Sequence, residues 1–403
     1  MPPPTYDIVC VAFPSWEGDY VKSTVKLMEE LGRRHQVLYL DYPYTWKDWL
    51  LGLLGRNKVP VARMLGLSDR LRVVKLENGG TVHVLTAPPV IPTNFIKNEK
   101  LYNRVQRLNA SLIRRVVLGT YKRLSIQNPV VINAFNPFIG VPLAGTLDER
   151  LLVYYCYDEI ATCAWALVHG ARVEREFIAH TDAVVVSSTG LREAKQKLGK
   201  PTFLVNNGVE FTAFNRGQVP VESKPSTPKI MGYVGSIDSR LDYPLLHTLA
   251  TTFPDSQLML VGRETYDKPG VEAAIQQLKK QPNVSFTGAQ PPDQLPNYLR
   301  DFRVGLIPFV KNTQTAAIYP MKINEYLAAG VPVVSTDFAP LGEFSPVVAI
   351  TASHEAFVEE VKRALYQDSS AQQLARVALA RQNSWEQRAQ EMETIIQQLI
   401  PGA

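Results

Sequence analysis

The stretch Tyr319-Pro-Met-Lys-Ile-Asn-Glu-Tyr-Leu-Ala-Ala-Gly-Val-Pro-Val-Val-Ser-Thr-Asp337 decides how the rest of the chain is read. Pro320 suits the start of a helix, where its missing N–H costs nothing. Ile323, Tyr326 and Leu327 then recur at i, i+3 and i+4, forming one apolar face. Gly330 is a natural helix end, and Pro332 prevents continuation. Val331-Pro-Val-Val-Ser335 reads as a short buried strand. An open helix N-terminus at the mouth of this unit favours an anion such as phosphate. Lys322 lies in the first turn, where a cation opposes the helix dipole, and a bound phosphate reverses the sign of that interaction. Glu325 projects from the same turn and is able to accept hydrogen bonds from sugar hydroxyls. Any αβ unit of a parallel sheet gives a similar pattern, so the stretch alone speaks to fold class before function.

The same rhythm extends upstream. Ile230–Val234, Gln257–Val261, Val284–Phe286 and Val304–Pro308 read as strands, and Pro244–Phe253, Val271–Lys280 and Leu295–Asp301 as helices between them. In the N-terminal half, residues 6–12, 37–40, 130–133, 151–156 and 181–188 are apolar strands. Strand, helix and strand within residues 6–40 make a βαβ unit, which implies a parallel sheet. The chain is therefore α/β, with two doubly wound Rossmann-like domains. Residues 1–212 form the first, a Pro-rich polar linker covers 213–228, and residues 229–383 form the second. A long C-terminal helix from 384, in the segment 384–403, is expected to pack back on the first domain.

Composition bounds the rest. The 403 residues carry a net charge of +5, with 45% hydrophobic and 20% charged residues, as in ordinary globular proteins. Cys10, Cys156 and Cys163 form no CxxC pair, which speaks against zinc and for a reducing compartment. No apolar run is long enough to span a membrane, and Met1-Pro-Pro-Pro-Thr5 lacks the features of a signal peptide. A cytoplasmic location is expected. Between Lys97 and Arg123 stand eight Lys/Arg and a single acid, Glu99. This region is either a solvated helix face or a surface resting on an anionic leaflet, peripheral to the inner face of the membrane. No nucleic-acid partner is expected.

Ligands of open α/β sheets sit at strand C-termini. Loop 13–19 is one such place, and there Trp16, Glu17 and Gly18 are acceptor-side candidates, since an aromatic face stacks on a sugar and Gly permits close approach. Asp158, after strand 151–156, is another; a turn or cap carboxylate explains it equally well. In the second half Gly232-Tyr-Val-Gly-Ser-Ile-Asp-Ser-Arg240 is a strand and Gly turn. It is not G-x-G-x-x-G, so a dehydrogenase reading is weak. Arg240 is positioned to pair with a diphosphate, or is an ordinary surface arginine. With Lys322 and a helix N-terminus it gives positive potential suited to a leaving nucleoside diphosphate.

The pattern P-x-K-x-x-E-Y-L-A-A-G-x-P-V-V-S-T resembles the donor-site signature of retaining GT-B glycosyltransferases of family 4, the group 1 glycosyltransferases. It is closest to the branch of teichuronic-acid and related polysaccharide biosynthesis enzymes. Four further passages resemble that family in order: Asn207-Gly-Val-Glu…Phe214, Gly232-Tyr-Val-Gly235, Leu260-Val-Gly262 with Val284-Ser-Phe-Thr-Gly288, and Gly305-Leu-Ile-Pro308. The resemblance implies two domains with a cleft between them, an acceptor on the N-terminal domain and a nucleotide-sugar on the C-terminal one. It implies transfer from a UDP- or GDP-sugar to a hydroxyl of a polysaccharide, lipid-linked or similar acceptor, with retention and with no metal or other cofactor. The implied catalytic residues are Glu325, Lys322 and Arg240. The implied donor-binding residues are Gly235, Ser236, Gly262, Arg263, Gly288, Tyr319, Pro320, Met321 and Ile323. The chain departs from the family at Ala317, where a Glu is frequent, and at Ser236, where an Arg is. Those departures keep two rivals open: a catalytically silent donor-binding subunit, and an epimerase or hydrolase on the same fold. Six histidines (35, 83, 169, 180, 247, 354) offer no obvious acid or base for the latter.

Overall fold

The computed structural model describes residues 6–18, 22–77, 79–216 and 228–400. The chain divides into two units, 1–206 with 388–403, and 207–387. The first unit is thus discontinuous in sequence and the second is inserted into it. The division falls between Asn206 and Asn207, where 212/213 was expected. Of the expected linker, 213–215 lie in a short helix, and 217–227 lie outside the described residues.

The first unit contains β1 (Ile8–Ala12), α1 (Ser23–Leu31), β2 (Val37–Leu40), α2 (Trp46–Leu53), α3 (Val61–Leu65), β3 (Leu71–Lys75), β4 (Thr81–Leu85), α4 (Glu99–Leu124), β5 (Val130–Ala134), α5 (Pro137–Leu143), β6 (Leu151–Cys156), α6 (Gly170–His180), β7 (Ala183–Val186), α7 (Thr189–Lys195) and β8 (Thr202–Leu204). Its sheet runs β3-β4-β2-β1-β5-β6-β7-β8. All neighbours pair in parallel except the edge strand β3, which is antiparallel to β4. Strands such as Ile8-Val-Cys-Val-Ala12 are buried at every position, because helices cover both faces of a parallel sheet. The strand order reverses between β1 and β5, the switch point where open sheets of this kind leave a crevice.

The second unit contains α8 (Phe211–Asn215), β9 (Lys229–Val234), α9 (Tyr243–Thr252), β10 (Ser256–Val261), α10 (Val271–Leu278), β11 (Val284–Phe286), α11 (Leu295–Asp301), β12 (Phe302–Ile307), α12 (Thr313–Ala316), α13 (Met321–Ala328), β13 (Val333–Thr336), β14 (Val348–Thr351), α14 (His354–Tyr366) and α15 (Ser370–Gln382). Its sheet, β11-β10-β9-β12-β13-β14, is wholly parallel. Numbered within the unit this is 3-2-1-4-5-6, the doubly wound order, and its switch point lies between β9 and β12.

The last helix, α16 (Trp385–Leu399), starts in the second unit, and its residues from Arg388 onward belong to the first. There Glu393 receives both Arg34 (3.0 Å) and His35 (3.1 Å), with His35 and Glu393 buried. Among the described residues no helix is long and apolar enough to cross a membrane.

Candidate functional site

The second unit's switch point is built by two loops that are sewn together. The Gly235 N–H donates to the Val261 carbonyl (2.8 Å), the Ile237 N–H to Arg263 (2.9 Å), and the Thr265 N–H to Ile237 (2.9 Å). The backbones approach so closely that a Cβ on Gly262 (φ +156°) would lie 1.8 Å from the Gly235 carbonyl oxygen. On the other flank the Val310 N–H donates to Arg240 (2.8 Å) and the Asp242 N–H to Pro308 (2.8 Å). The loop after β9 is therefore tied to both the β10 and the β12 sides.

Helix α13 presents its first turn to this loop. The Lys322 side chain crosses the Gly235 backbone, where a Cβ would sit 2.0 Å from Cε and 2.8 Å from Nζ. Tyr326, one turn on, anchors the helix: its hydroxyl accepts the Val234 N–H (2.7 Å), and its ring lies against the Cα of Gly305. Asn324 is fully buried and donates to the Tyr319 hydroxyl (3.0 Å), while its own oxygen accepts from Asn383 (2.8 Å). Removing the hydroxyl in Tyr326→Phe strands a buried N–H, which costs about 1–3 kcal/mol. Urea unfolding should show that loss with an unchanged m-value.

Lys322 and Glu325 are half-buried and carry opposite charges. Among the described residues neither side chain makes a hydrogen bond or ion pair. Burial lowers the Lys322 pKa from the ordinary 10.5, opposed by the Glu325 charge. Burial also raises Glu325 above 4.5, opposed by Lys322. Two recessed charges without hydrogen-bonding partners carry a desolvation cost that a polar ligand relieves. Arg240 differs from expectation. Its guanidinium grips Asp238 (Nε–Oδ1 2.8 Å, Nη2–Oδ2 2.5 Å) and stands 5.8 Å from the Phe309 ring. A diphosphate must compete with that carboxylate for it.

The other expected donor residues separate. Gly235, Gly262 and Lys322 come together. Ser236 is exposed, and its carbonyl accepts from the Tyr233 hydroxyl (2.9 Å). Arg263 is exposed, and Gly288 follows β11 at φ +72°. Met321 is half-buried. Tyr319 packs on Phe344 and serves as Asn324's partner, and Pro320 is buried at the helix cap. Ile323 is fully buried in the core, so its side chain cannot contact a donor. In the first unit the Trp16 N–H donates to Asp41 (2.8 Å), Glu17 pairs with Arg72 (2.9 Å), and the Lys22 ammonium donates to the Ser15 and Glu17 carbonyls beside Gly18. Asp158 accepts the Glu159 N–H (2.8 Å) as a turn carboxylate. Asp19 lies outside the described residues.

Residues 228–376 match the family described as "Glycosyl transferases group 1". The match begins just before β9 and ends within α15, so it includes Gly235, Gly262, Lys322 and Glu325. Across 222 residues the chain is 31% identical to TuaH of Bacillus subtilis (strain 168), a protein named for teichuronic acid biosynthesis as a glycosyltransferase. That match covers 50% of this chain and 54% of TuaH, so the chain spans about half the length of this curated relative. Among solved structures, sucrose-phosphate synthase from Thermosynechococcus elongatus superposes with a TM-score of 0.70 at 15% identity, covering 99% of this chain and 100% of that one. Anabaena Alr3699/HepE, solved with UDP and glucose, gives 0.61 at 14% identity, covering 97% and 99%. The fold is GT-B, with two parallel-sheet Rossmann-like domains.

Proposed function

We propose that this chain transfers a sugar from a nucleoside-diphosphate donor to a hydroxyl acceptor, with retention at the anomeric carbon. The observation that carries the reading is Lys322 laid across the Gly235 backbone, next to the unbonded Glu325, at the switch point of a group 1 glycosyltransferase domain. Lys322 neutralises the diphosphate as charge develops on it, the kind of preorganised electrostatics that dominates many rate enhancements. Glu325 accepts hydrogen bonds from the donor sugar's hydroxyls. Arg240 joins once the ligand draws it from Asp238. The departing phosphate oxygen takes the acceptor's proton as the new glycosidic bond forms on the same face, so neither a protein base nor a metal or cofactor is assigned a role. We further place the protein in the cytoplasm, making polysaccharide or a lipid-linked saccharide, with the basic segment 97–123 resting on an anionic membrane leaflet. The likeness to TuaH supports the polysaccharide part of this reading.

A thermal-shift screen with UDP, GDP, ADP and dTDP and their sugars tests the donor site. A ligand at 100 times its Kd adds ~2.7 kcal/mol to the native state. One nucleotide family should shift the transition; silence with all of them sinks the reading. The pH dependence has a definite sign. Free UDP or its equivalent should bind less well as pH rises through the lowered pKa of Lys322, because the ammonium is lost. The sugar nucleotide should weaken also as pH falls through the raised pKa of Glu325, because the protonated carboxyl loses acceptor capacity. Titration calorimetry across pH with nucleotide and sugar nucleotide separates the two limbs.

A further inference from the structure

Helix α13 carries Lys322 and Glu325 on one side and buries Ile323, Asn324, Tyr326, Leu327 and Ala328 on the other. At about 3.6 residues per turn, Asn324 lies nearly opposite Lys322. It is 0% exposed, an amide set among apolar neighbours, and both ends of it are engaged. Its Nδ2 donates to the Tyr319 hydroxyl (3.0 Å), and its Oδ1 accepts from Asn383 Nδ2 (2.8 Å). Each partner is itself fixed. Tyr319 is buried against Phe344 (5.6 Å between centroids). Asn383 closes α15, its N–H donating to the Ala380 carbonyl (3.0 Å) and its own carbonyl accepting the Val209 N–H (3.0 Å). The far end of α13 is held as well. Asn215 Nδ2 donates to the Ala328 carbonyl (2.9 Å), and the buried Arg376 donates to Gly330 (3.0 Å) while pairing with Asp368 (2.7 Å).

Apolar contacts alone do not fix where a two-turn helix sits. They are non-directional, so Ile323 and Leu327 tolerate small shifts along and about the helix axis. A hydrogen bond weakens steeply once its angle departs from the ideal. A buried amide left unpaired costs more than the pair itself contributes, so a shift of α13 that breaks the Asn324 pair is opposed. A leucine would fill the same space without any desolvation cost. What the amide adds is register, the best-attested use of a single buried polar residue. Register matters here because Lys322 crosses Gly235 so closely that a Cβ there would sit 2.0 Å from its Cε. A misplacement of about 1 Å in such a group costs on the order of 100-fold in rate.

We propose that Asn383 is a positioning residue: through Asn324 it fixes the rotation and height of α13, and with them the places of Lys322 and Glu325. Its bearing on rate rests on the glycosyltransferase reading, while its bearing on the seat of Lys322 does not.

Two variants and a control, all in the full chain, test this. Asn383→Ala leaves the Asn324 Oδ1 without that donor. Asn324→Leu/Asn383→Leu replaces the pair by apolar groups, which restores packing without restoring direction. Asn283→Ala is the control, because Asn283 donates to the carbonyls of Ala250, Phe253 and Ser256 in the same unit, none of them on α13. The Lys322 Cε resonance, in protein carrying isotopically labelled lysine and assigned by its loss in Lys322→Ala, reports where the ammonium titrates. In the unaltered chain it should titrate below the ordinary 10.5. In both Asn383 variants it should move back up, because the ammonium leaves its recessed seat. In both, kcat for sugar transfer should fall about tenfold or more with a smaller rise in KM, since Lys322 acts on charge that develops in the transition state. The control should lose stability and keep both readouts. An unmoved Lys322 titration in both Asn383 variants overturns the inference, and so does a paired variant that regains full kcat along with its stability, as a merely structural pair would. A Lys322 titration that moves as expected in a protein that transfers no sugar sinks the transferase reading alone. Full transfer by variants whose Lys322 stays in place sinks this inference alone.

Discussion

Replacing Lys322 with alanine should lower kcat/KM for sugar transfer about 100- to 1000-fold, the usual cost of removing one preorganised group that stabilises developing charge. What sets that loss is where the ammonium lies. It crosses the Gly235 backbone at the end of β9, with Glu325 as the carboxylate that acts on it most strongly and without a side-chain hydrogen-bonding partner among the described residues. Because Lys322 is held in place by its own protein rather than by the ligand, little of its stabilising effect is lost to ordering at the moment of reaction. A merely structural lysine predicts another result: removal of a partly desolvated charge would leave kcat/KM alone and raise the stability of the unliganded protein. Arginine is no conservative rescue, since its larger head must fit the same crossing above Gly235. Steady-state kinetics on Lys322→Ala with the donor found by thermal shift decides this. A loss smaller than tenfold would falsify the assigned role.

The second large effect belongs to a residue that does no chemistry. Gly262→Ala places a methyl group 1.8 Å from the Gly235 carbonyl oxygen, and both partners are main chain, so no side chain can swing away. The loops must part, and the bonds Gly235 N–H to Val261 and Ile237 N–H to Arg263 go with them. Two hydrogen bonds and backbone strain together are worth about 3 kcal/mol or more. Gly288→Ala supplies the control. Gly288 also has positive φ but nothing within 4 Å of its missing Cβ, so only the left-handed penalty of about 1–2 kcal/mol applies. Urea unfolding of the two variants should therefore separate clearly; equal losses would mean that the close approach carries no energy.

Much of this was legible in the chain. Strands such as Ile8–Ala12 and Ala183–Val186 announce themselves because a parallel strand buried on both faces must be apolar throughout. Lys322 and Glu325 were legible because a helix start, a Gly stop and a buried strand leave few other places for them. Edge elements were harder. Strand β14 is only half-buried and β3 is mostly open, so neither carries a continuous apolar signal. Helix α2 carries a dense apolar-aromatic run, yet Trp46, Leu50 and Leu53 stand in solvent, which the run itself does not reveal. The Arg240–Asp238 grip was not legible either, since an acid two residues away in a loop looks like any turn carboxylate. Nor could spacing foretell that Phe13, Asn136 and Trp165 line one cavity, because only the strand order brings them together.

The discontinuity of the first unit reaches back to how the protein is made. Its first 206 residues leave the ribosome long before Arg388 and Glu393 do. At about 5–20 residues per second the intervening segment takes on the order of 10–40 s to synthesise. For that time the buried His35 and its neighbour Arg34 wait without the carboxylate that joins them. The inserted unit, contiguous in the chain, is able to close first. The N-terminal sheet therefore passes through a nascent stage with one flank bare, and a chaperone that shields apolar surface would find its natural client there.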